Sequence, residues 1–512
     1  MKSEQKNPDA VELAPLPVPV DFESDMDRPV PFDAGTAVLV DCPDPAAAPW
    51  LAHHFADWFG DQAPKVSPNV ANVEILPIPI ANSQSETLNT GNTGNIGNTG
   101  NTGSDEAYAV SADASGVRIL ARSLAGVRWA AYSLRQLAIA RRGTFRTDGR
   151  VLPTLRISDA PRLPFRAVHL CWFPDTRPAQ IERAIRLAAL LKFNAAILEP
   201  WGTFRSARHP WFGWPDAPAT PEELARLAAI GRDLGVALVP QLNVFGHASS
   251  SRSCSLKHAA LDLHPEYEPL FEPGGWNWCL SNPEARRVLR ELVGELHEAC
   301  GRPPFFHLGC DEAQPPSCPE CRRRPYAELV GEHIAELAAF VRERGARAMI
   351  WHDMLLDRAD PRWAGFIANG TPKTAALADT LPKDVVICDW QYSFADREEA
   401  RTDWPTMAHF REKGFDVAGC PWLNFAAMEP MADFLASHGG LGLVATTWHH
   451  LYGADWCDIF RTAACAAWGT PPRPVAPQFD TAFALALRLA GLDAGVSDYR
   501  DTGLVEDQLS LP

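Results

Sequence analysis

The stretch PFFHLGC, residues 304–310, is an apolar run of strand length that stops at a glycine, and a helical pattern from about Tyr326 to Arg344 follows it. The same unit recurs on both sides. Upstream, FRAVHLC (165–171) precedes a helix from about Pro178 to Leu191, and NAAILEP (194–200) one from about Pro221 to Leu234. VALVPQL (236–242) precedes one from about Pro283 to Ala299. Downstream come ARAMIWH (346–352), VVICDW (385–390), FDVAGCPW (415–422) and LGLVATTW (441–448), with helix around 455–468. Eight strands alternating with helices predict an α/β fold, a (β/α)₈ TIM barrel over residues 160–490. A doubly wound sheet is the competing architecture, but no Gly-rich nucleotide loop follows any of the strands.

The chain before the barrel reads differently. Residues 1–33 are rich in Pro and acids and are expected to be irregular. A small α+β domain is expected over 34–150. Its strands are GTAVLVDC (35–42), VEILPIPI (73–80), EAYAVSA and GVRILAR; its helices are PWLAHHFADWFG (49–60) and AGVRWAAYSLRQLAIARRG (125–143). Between them, residues 82–106 repeat an Asn-Thr-Gly theme with almost nothing to bury, which predicts a mobile loop. Residues 491–512 form a tail.

The net charge of −16 argues against a nucleic-acid partner, because phosphate binding needs clustered Lys and Arg. No uninterrupted apolar run of membrane-spanning length occurs, and MKSEQKNPDAVELAP lacks the apolar core of a secretory signal. No membrane partner and a cytoplasmic location are therefore expected, with the 12 cysteines reduced. Of 17 tryptophans, 14 follow Phe165. Aromatic faces stack on pyranose rings, so a Trp-rich barrel with scattered acids suggests a glycan ligand; a large aromatic core is the competing explanation.

Barrel enzymes place their chemistry at the C-terminal ends of the strands. Those ends carry Glu199 and Trp201, Asn243 and His247, Asp311 and Glu312, then Trp351 and Asp353. Asp389, Trp390 and Tyr392 follow, then Trp422 and Asn424, and last Trp448 and His449. FHLGCDEA (306–313) is the sharpest of these. Two adjacent carboxylates repel, which favours holding one proton, and a protonated acid beside an ionised one suits glycoside cleavage. A strand end capped by solvated acids is the plainer reading. In QLNVFGHASS (241–250), Gly246 permits a tight turn and His247 is placed to pair with a carboxylate. CPEC (318–321) has the spacing of half a metal knuckle, with Cys254, Cys279 and His247 as conceivable further ligands. No complete ligand set is visible, so the chemistry is expected to need no cofactor and no metal.

These motifs resemble glycoside hydrolase family 20, the β-N-acetylhexosaminidases. FHLGCDEA is similar to that family's His-x-Gly-Gly-Asp-Glu signature, with Cys310 for the second Gly. FGH (245–247) resembles its Pro-Gly-His turn, and WHDML (351–355) its Trp-Asp-Asp/Glu stretch. The region from 106 to 137 is similar to the α+β domain preceding the family's barrel. The three variants together look closest to the hexosaminidase D-like branch. The resemblance implies release of terminal N-acetylhexosamine with retention, through attack by the substrate's own acetamide. Glu312 would be the general acid and base, and Asp311 the residue that orients the acetamide. Trp351, Trp390 and Trp448 would wall the pocket, with Tyr392 donating to the acetamide oxygen and Arg166 reaching sugar hydroxyls. Strand two ends in LEPWGTFR, not His-x-x-Asp-Asp, and CPWLNF (420–425) replaces the later Tyr-Leu-Asp element. Glu199 and Asn424 are thus the candidates for the remaining sugar contacts. A barrel glycosidase for another glycan and an inactive sugar-binding barrel are the rival functions; a paired acid argues against the latter.

Overall fold

The computed structural model describes residues 14–69, 103–140, 151–249, 260–392, 403–448, 451 and 455–470, with scattered positions between 483 and 490. The chain divides into two compact units. The predicted strand at 73–80, most of the Asn-Thr-Gly segment, Cys254, His449 and the tail at 491–512 lie outside the described residues.

Among the described residues, the smaller unit holds a six-stranded sheet of β1 (Asp21–Pro31), β2 (Ala37–Asp41), β3 (Lys65–Pro68), β4 (Tyr108–Asp113), β5 (Gly116–Ala121) and β6 (Val151–Asp159). The order is β1-β6-β4-β5-β2-β3. β2 runs parallel to both β3 and β5, and the other pairs are antiparallel. Parallel neighbours need a crossover, and the helix Ala47–Phe59 supplies it between β2 and β3. The segment expected to be irregular contributes β1, because its backbone pairs with β6 from Asp21↔Ser158 to Pro31↔Val151. Prolines at 29 and 31 are tolerated there because β1 is an edge strand.

This unit also takes Ala189–Lys192 and a stretch from Ala464, which the sequence assigned to the barrel. Lys192 explains the first. Its Nζ donates to Asp159 Oδ2 at 2.9 Å and to Tyr108 Oη at 2.8 Å, and both charged side chains are fully buried. Trp468 Nε1 donates to the other Asp159 oxygen at 2.7 Å. A buried charge must be paired and hydrogen-bonded, and these partners meet that demand.

The larger unit contains the eight strands β7 (Phe165–Trp172), β8 (Ala195–Pro200), β9 (Ala237–Pro240), β10 (Phe305–His307), β11 (Arg347–Trp351), β12 (Val386–Trp390), β13 (Asp416–Cys420) and β14 (Gly442–Ala445). All pair in parallel, in the order β10-β11-β12-β13-β14-β7-β8-β9. A parallel bridge between Gln241 and His307 closes the ring, with Leu242 N–H donating to the His307 carbonyl at 3.0 Å. This is the expected (β/α)₈ barrel. β7 and β8 are buried along their whole length, as parallel strands under helices must be. Helix starts follow local chemistry. Thr220 Oγ1 caps Pro221–Leu234 through the Glu223 amide, and Asn282 caps Pro283–Ala299 through the Glu284 amide.

Side chains alternate across a strand, and the inward set includes Ala167, Ile197, Val239, Met349, Trp351, Val386, Cys388, Ala418, Cys420 and Val444. β10 is shorter than its apolar run because Gly309 and Cys310 both take positive φ, 69° and 77°, which ends the strand. No helix among the described residues is long and apolar enough to cross a membrane.

Candidate active site

The two-residue period that fills the barrel also selects what reaches its mouth. Continuing the inward set past the strand ends leads to Glu199, Asn243, Asp311, Asp353, Tyr392, Trp422 and Trp448. Asp311 and Glu312 follow β10 on a tightly wound segment. Gly309, Cys310 and Glu312 all have positive φ, and so does His247 opposite, at 55°. For non-glycine residues that geometry costs on the order of 1–3 kcal/mol each, and the surroundings hold it in place. A Cβ on Gly309 would lie 1.9 Å from Asn243 Oδ1, and one on Gly246 would lie 2.3 Å from the Asp311 carbonyl oxygen. Both glycines are thus required for the β9 and β10 loops to approach.

His247 Nε2 lies 3.3 Å from Asp311 Oδ2 and 3.3 Å from Glu312 Oε2. The two carboxylates differ in environment. The Asp311 side chain is 8% exposed and that of Glu312 is 45% exposed. A third acid completes the group. Asp353 Oδ2 accepts the Glu312 backbone N–H at 2.9 Å and the Asn369 side-chain amide at 2.9 Å. Asp353 is wholly buried. Burial, and then the Asp311 charge, push its carboxyl up to about 6. Its Oδ1 has no hydrogen-bond partner among the described residues.

An aromatic wall adjoins these acids. The rings of Trp351 and Trp448 are 5.4 Å apart, Trp390 and Tyr392 5.2 Å, and Tyr392 and Trp422 5.4 Å. Trp448 Nε1 donates to Tyr392 Oη at 2.8 Å, and that hydroxyl also meets Thr446 Oγ1 at 3.0 Å. Trp351 rests on His307, with rings 4.3 Å apart.

The other expected residues divide. Glu199 is buried beneath the mouth, with Oε1 accepting Asn243 Nδ2 at 2.9 Å and Oε2 lying 3.2 Å from His169 Nε2. Asn424 braces two loops, through Gln391 carbonyl oxygen and Trp422 N–H, each at 3.2 Å. Trp201 packs on Phe173. Asp389 faces away from the interior, toward His352 and Gln391. Arg166 is not brought to the site. It stands at the opposite end of β7 and belongs to the outward set, because its inward neighbours are Phe165 and Ala167.

The sequence reading missed His169, Asn369 and Trp276. His169 has a visible signal, a polar residue on the inward set of β7, and its ring lies 4.6 Å from that of Trp448. Trp276 Nε1 donates to the Glu312 carbonyl at 2.8 Å, and its ring is 4.4 Å from that of His247. Trp276 and Asn369 lie in long connections that no pattern marks.

Comparison with known proteins places the chain in a family. A curated β-N-acetylhexosaminidase from Cellulomonas fimi is 28% identical over 283 residues, 50% of this chain and 52% of that protein. This chain thus spans about half the length of that relative. Among solved structures, the β-N-acetylhexosaminidase of Bacteroides fragilis superposes with a TM-score of 0.64 at 18% identity, covering 96% of each chain. That of Streptomyces plicatus, bound to Thio-NAglucal, gives 0.62 at 16%, covering 96% of this chain and 97% of that one. At such identities the likeness concerns the fold. The family models are more specific. Residues 11–160 match "Glycosyl hydrolase family 20, domain 2" and residues 217–432 match "Glycosyl hydrolase family 20, catalytic domain". Together they span more than half of the sequence, and the chain belongs to glycosyl hydrolase family 20.

Proposed function

We propose that this chain is a retaining exo-β-N-acetylhexosaminidase that removes terminal N-acetylglucosamine or N-acetylgalactosamine from glycans. One observation carries the reading: a buried and a half-exposed carboxylate, adjacent in sequence, share His247 beside a wall of Trp351, Trp390, Trp448 and Tyr392. The named activity of the Cellulomonas fimi relative agrees with it.

Glu312 is the general acid and base. Its exposure lets it reach the glycosidic oxygen at the mouth. The acetamide oxygen attacks the anomeric carbon as the glycosidic bond breaks, and the leaving oxygen takes the Glu312 proton. Water then opens the oxazolinium ring and returns a proton to Glu312. Asp311 holds the acetamide nitrogen and its developing positive charge, a role suited to a shielded carboxylate. The substrate supplies the nucleophile, so the two-carboxylate scheme of most glycosidases does not apply. Tyr392 and the indoles shape the acetamide pocket. Neither a cofactor nor a metal enters these steps.

A cytoplasmic location belongs to the same reading. It is supported by eleven cysteines, all free thiols among the described residues, which suits a reducing compartment. Hydrolysis of a chromogenic N-acetyl-β-hexosaminide tests the activity. Turnover by the wild type is expected; an inactive wild type that still binds the sugar would identify a lectin-like barrel instead.

A further inference from the structure

Three cysteines and a glutamate converge away from the carboxylates. Cys279 Sγ lies 3.7 Å from both Cys318 Sγ and Cys321 Sγ. Glu272 joins them, and the four potential ligand atoms all lie within 4.8 Å of one another. Glu272 is 5% exposed, Cys279 6% and Cys321 1%, so this is a buried polar cluster. Burial of that kind calls for an explanation.

The Glu272 carboxylate is half explained. Its Oε2 accepts the backbone N–H groups of Ser317 and Cys318, at 2.8 and 2.6 Å. Its Oε1 is buried with no hydrogen-bond partner among the described residues. One oxygen is therefore locked by two amides while the other is left for something else. The sulfur spacing says what. A disulfide needs about 2.05 Å, far below what is found. In a tetrahedral zinc site with Zn–S bonds of about 2.3 Å, two sulfurs stand about 3.8 Å apart. Cys318 and Cys321 are also arranged as a Cys-x-x-Cys half-knuckle, in which the Cys321 N–H donates to Cys318 Sγ at 3.3 Å at the start of the short helix Pro319–Arg322.

We propose that Glu272, Cys279, Cys318 and Cys321 bind one zinc ion. Thiolates with a carboxylate suit this borderline-soft cation, and four protein ligands make a closed, structural site with no open position for chemistry. The amides on Glu272 Oε2 are the outer contacts that orient the carboxylate. His247, one of the ligands conceivable from sequence, lies at Asp311 and Glu312 instead. Glu272 takes a place that spacing alone did not suggest.

The ion ties two loops that meet at the active site. Glu272 and Cys279 flank a turn held by the Phe271–Trp278 bridge, and Cys318 and Cys321 lie on the segment that leaves Glu312. Between the first two ligands, Trp276 donates to the Glu312 carbonyl, and Asn277 exchanges hydrogen bonds with Gln314 at 2.6 and 3.2 Å. Zinc therefore acts as a clamp on the backbone that positions Glu312.

The full chain, produced in zinc-supplemented medium and purified under reductant without chelator, is assayed for metal by mass spectrometry. About one zinc per chain is expected, released when a mercurial titrates the thiols. Cobalt exchanged into the same protein is expected to show tetrahedral thiolate absorption. Cys318→Ser and Glu272→Gln, chosen because the deeply buried Cys321 risks the fold, are expected to cut zinc content several-fold and lower Tm. The proposal is overturned if folded wild-type protein carries only traces of zinc, or if peptide mapping finds Cys279 in a disulfide. Full retention of zinc by a folded Cys279→Ser/Cys318→Ser variant also overturns it. None of these readouts depends on hydrolase activity.

Discussion

Asp353 accepts the backbone N–H of Glu312 at 2.9 Å, so the acid at the mouth is held from below by a second, buried acid. The contact fixes Glu312 where its φ is 48°. It also sets a pH dependence. Burial raises the folded Asp353 carboxyl from 3.8 to about 6, so between those values the folded state binds more protons than the unfolded one. This contribution to stability is present at low pH and is lost as pH climbs from about 4 through 6. The loss is on the order of 2–3 kcal/mol. Denaturant melts across this range should diverge, with wild type losing stability relative to Asp353→Asn as pH rises. Parallel slopes would remove Asp353 as the source of the loss.

Glu312→Gln should lower kcat about 10²–10⁴-fold on a substrate with a poor leaving group, the usual worth of general acid catalysis. Its side chain is 45% exposed, so stability should change little. Near-normal turnover would transfer the acid role elsewhere.

Asp311→Asn should discriminate between ligands. A thiazoline mimic of the oxazolinium ion should bind wild type far more tightly than the product sugar, because it resembles the state the site stabilises. The substitution should weaken the mimic much more than the product, since shape remains while the charge partner is lost. Equal weakening of both, measured by calorimetry, would show that Asp311 only shapes the pocket.

A glycosyl ester trapped on Glu199, Asp311 or any other acid by a 2-fluoro sugar would identify a conventional double displacement. None is expected in intact-mass spectra. Glu199 is occupied by His169 and Asn243 and is poorly placed to attack.

Lys192→Met should cost about 3–5 kcal/mol, because it strands the fully buried Asp159. Adding Asp159→Asn should recover much of that loss, as the uncompensated charge disappears. Chemical denaturation of the two variants measures both effects. An unchanged midpoint in Lys192→Met would mean that the pair contributes nothing.

The barrel was legible because its cause is local. Each strand is an apolar run of a few residues, each helix has its own period and cap, and the parallel order follows from their alternation. Asp311, Glu312, Trp351 and Trp448 were legible for the same reason, since a strand end and a two-residue period say which side chains reach the mouth. That rule, applied strictly, also would have excluded Arg166, whose place in the outward set is countable from Phe165. What long-range packing decides stayed hidden. Lys192 sits in a short link after a barrel helix, yet its charge is buried against Tyr108 and Asp159, 84 and 33 residues away in sequence. Asn369 and Trp276 reach the Asp353 carboxylate and the Glu312 carbonyl from connections without periodicity, and Glu272 meets Cys318 across 46 residues. Local propensity and periodicity act over a few residues and can be read from sequence. Which polar atoms share one buried volume depends on how loops close over the finished barrel, and only the tertiary structure decides that.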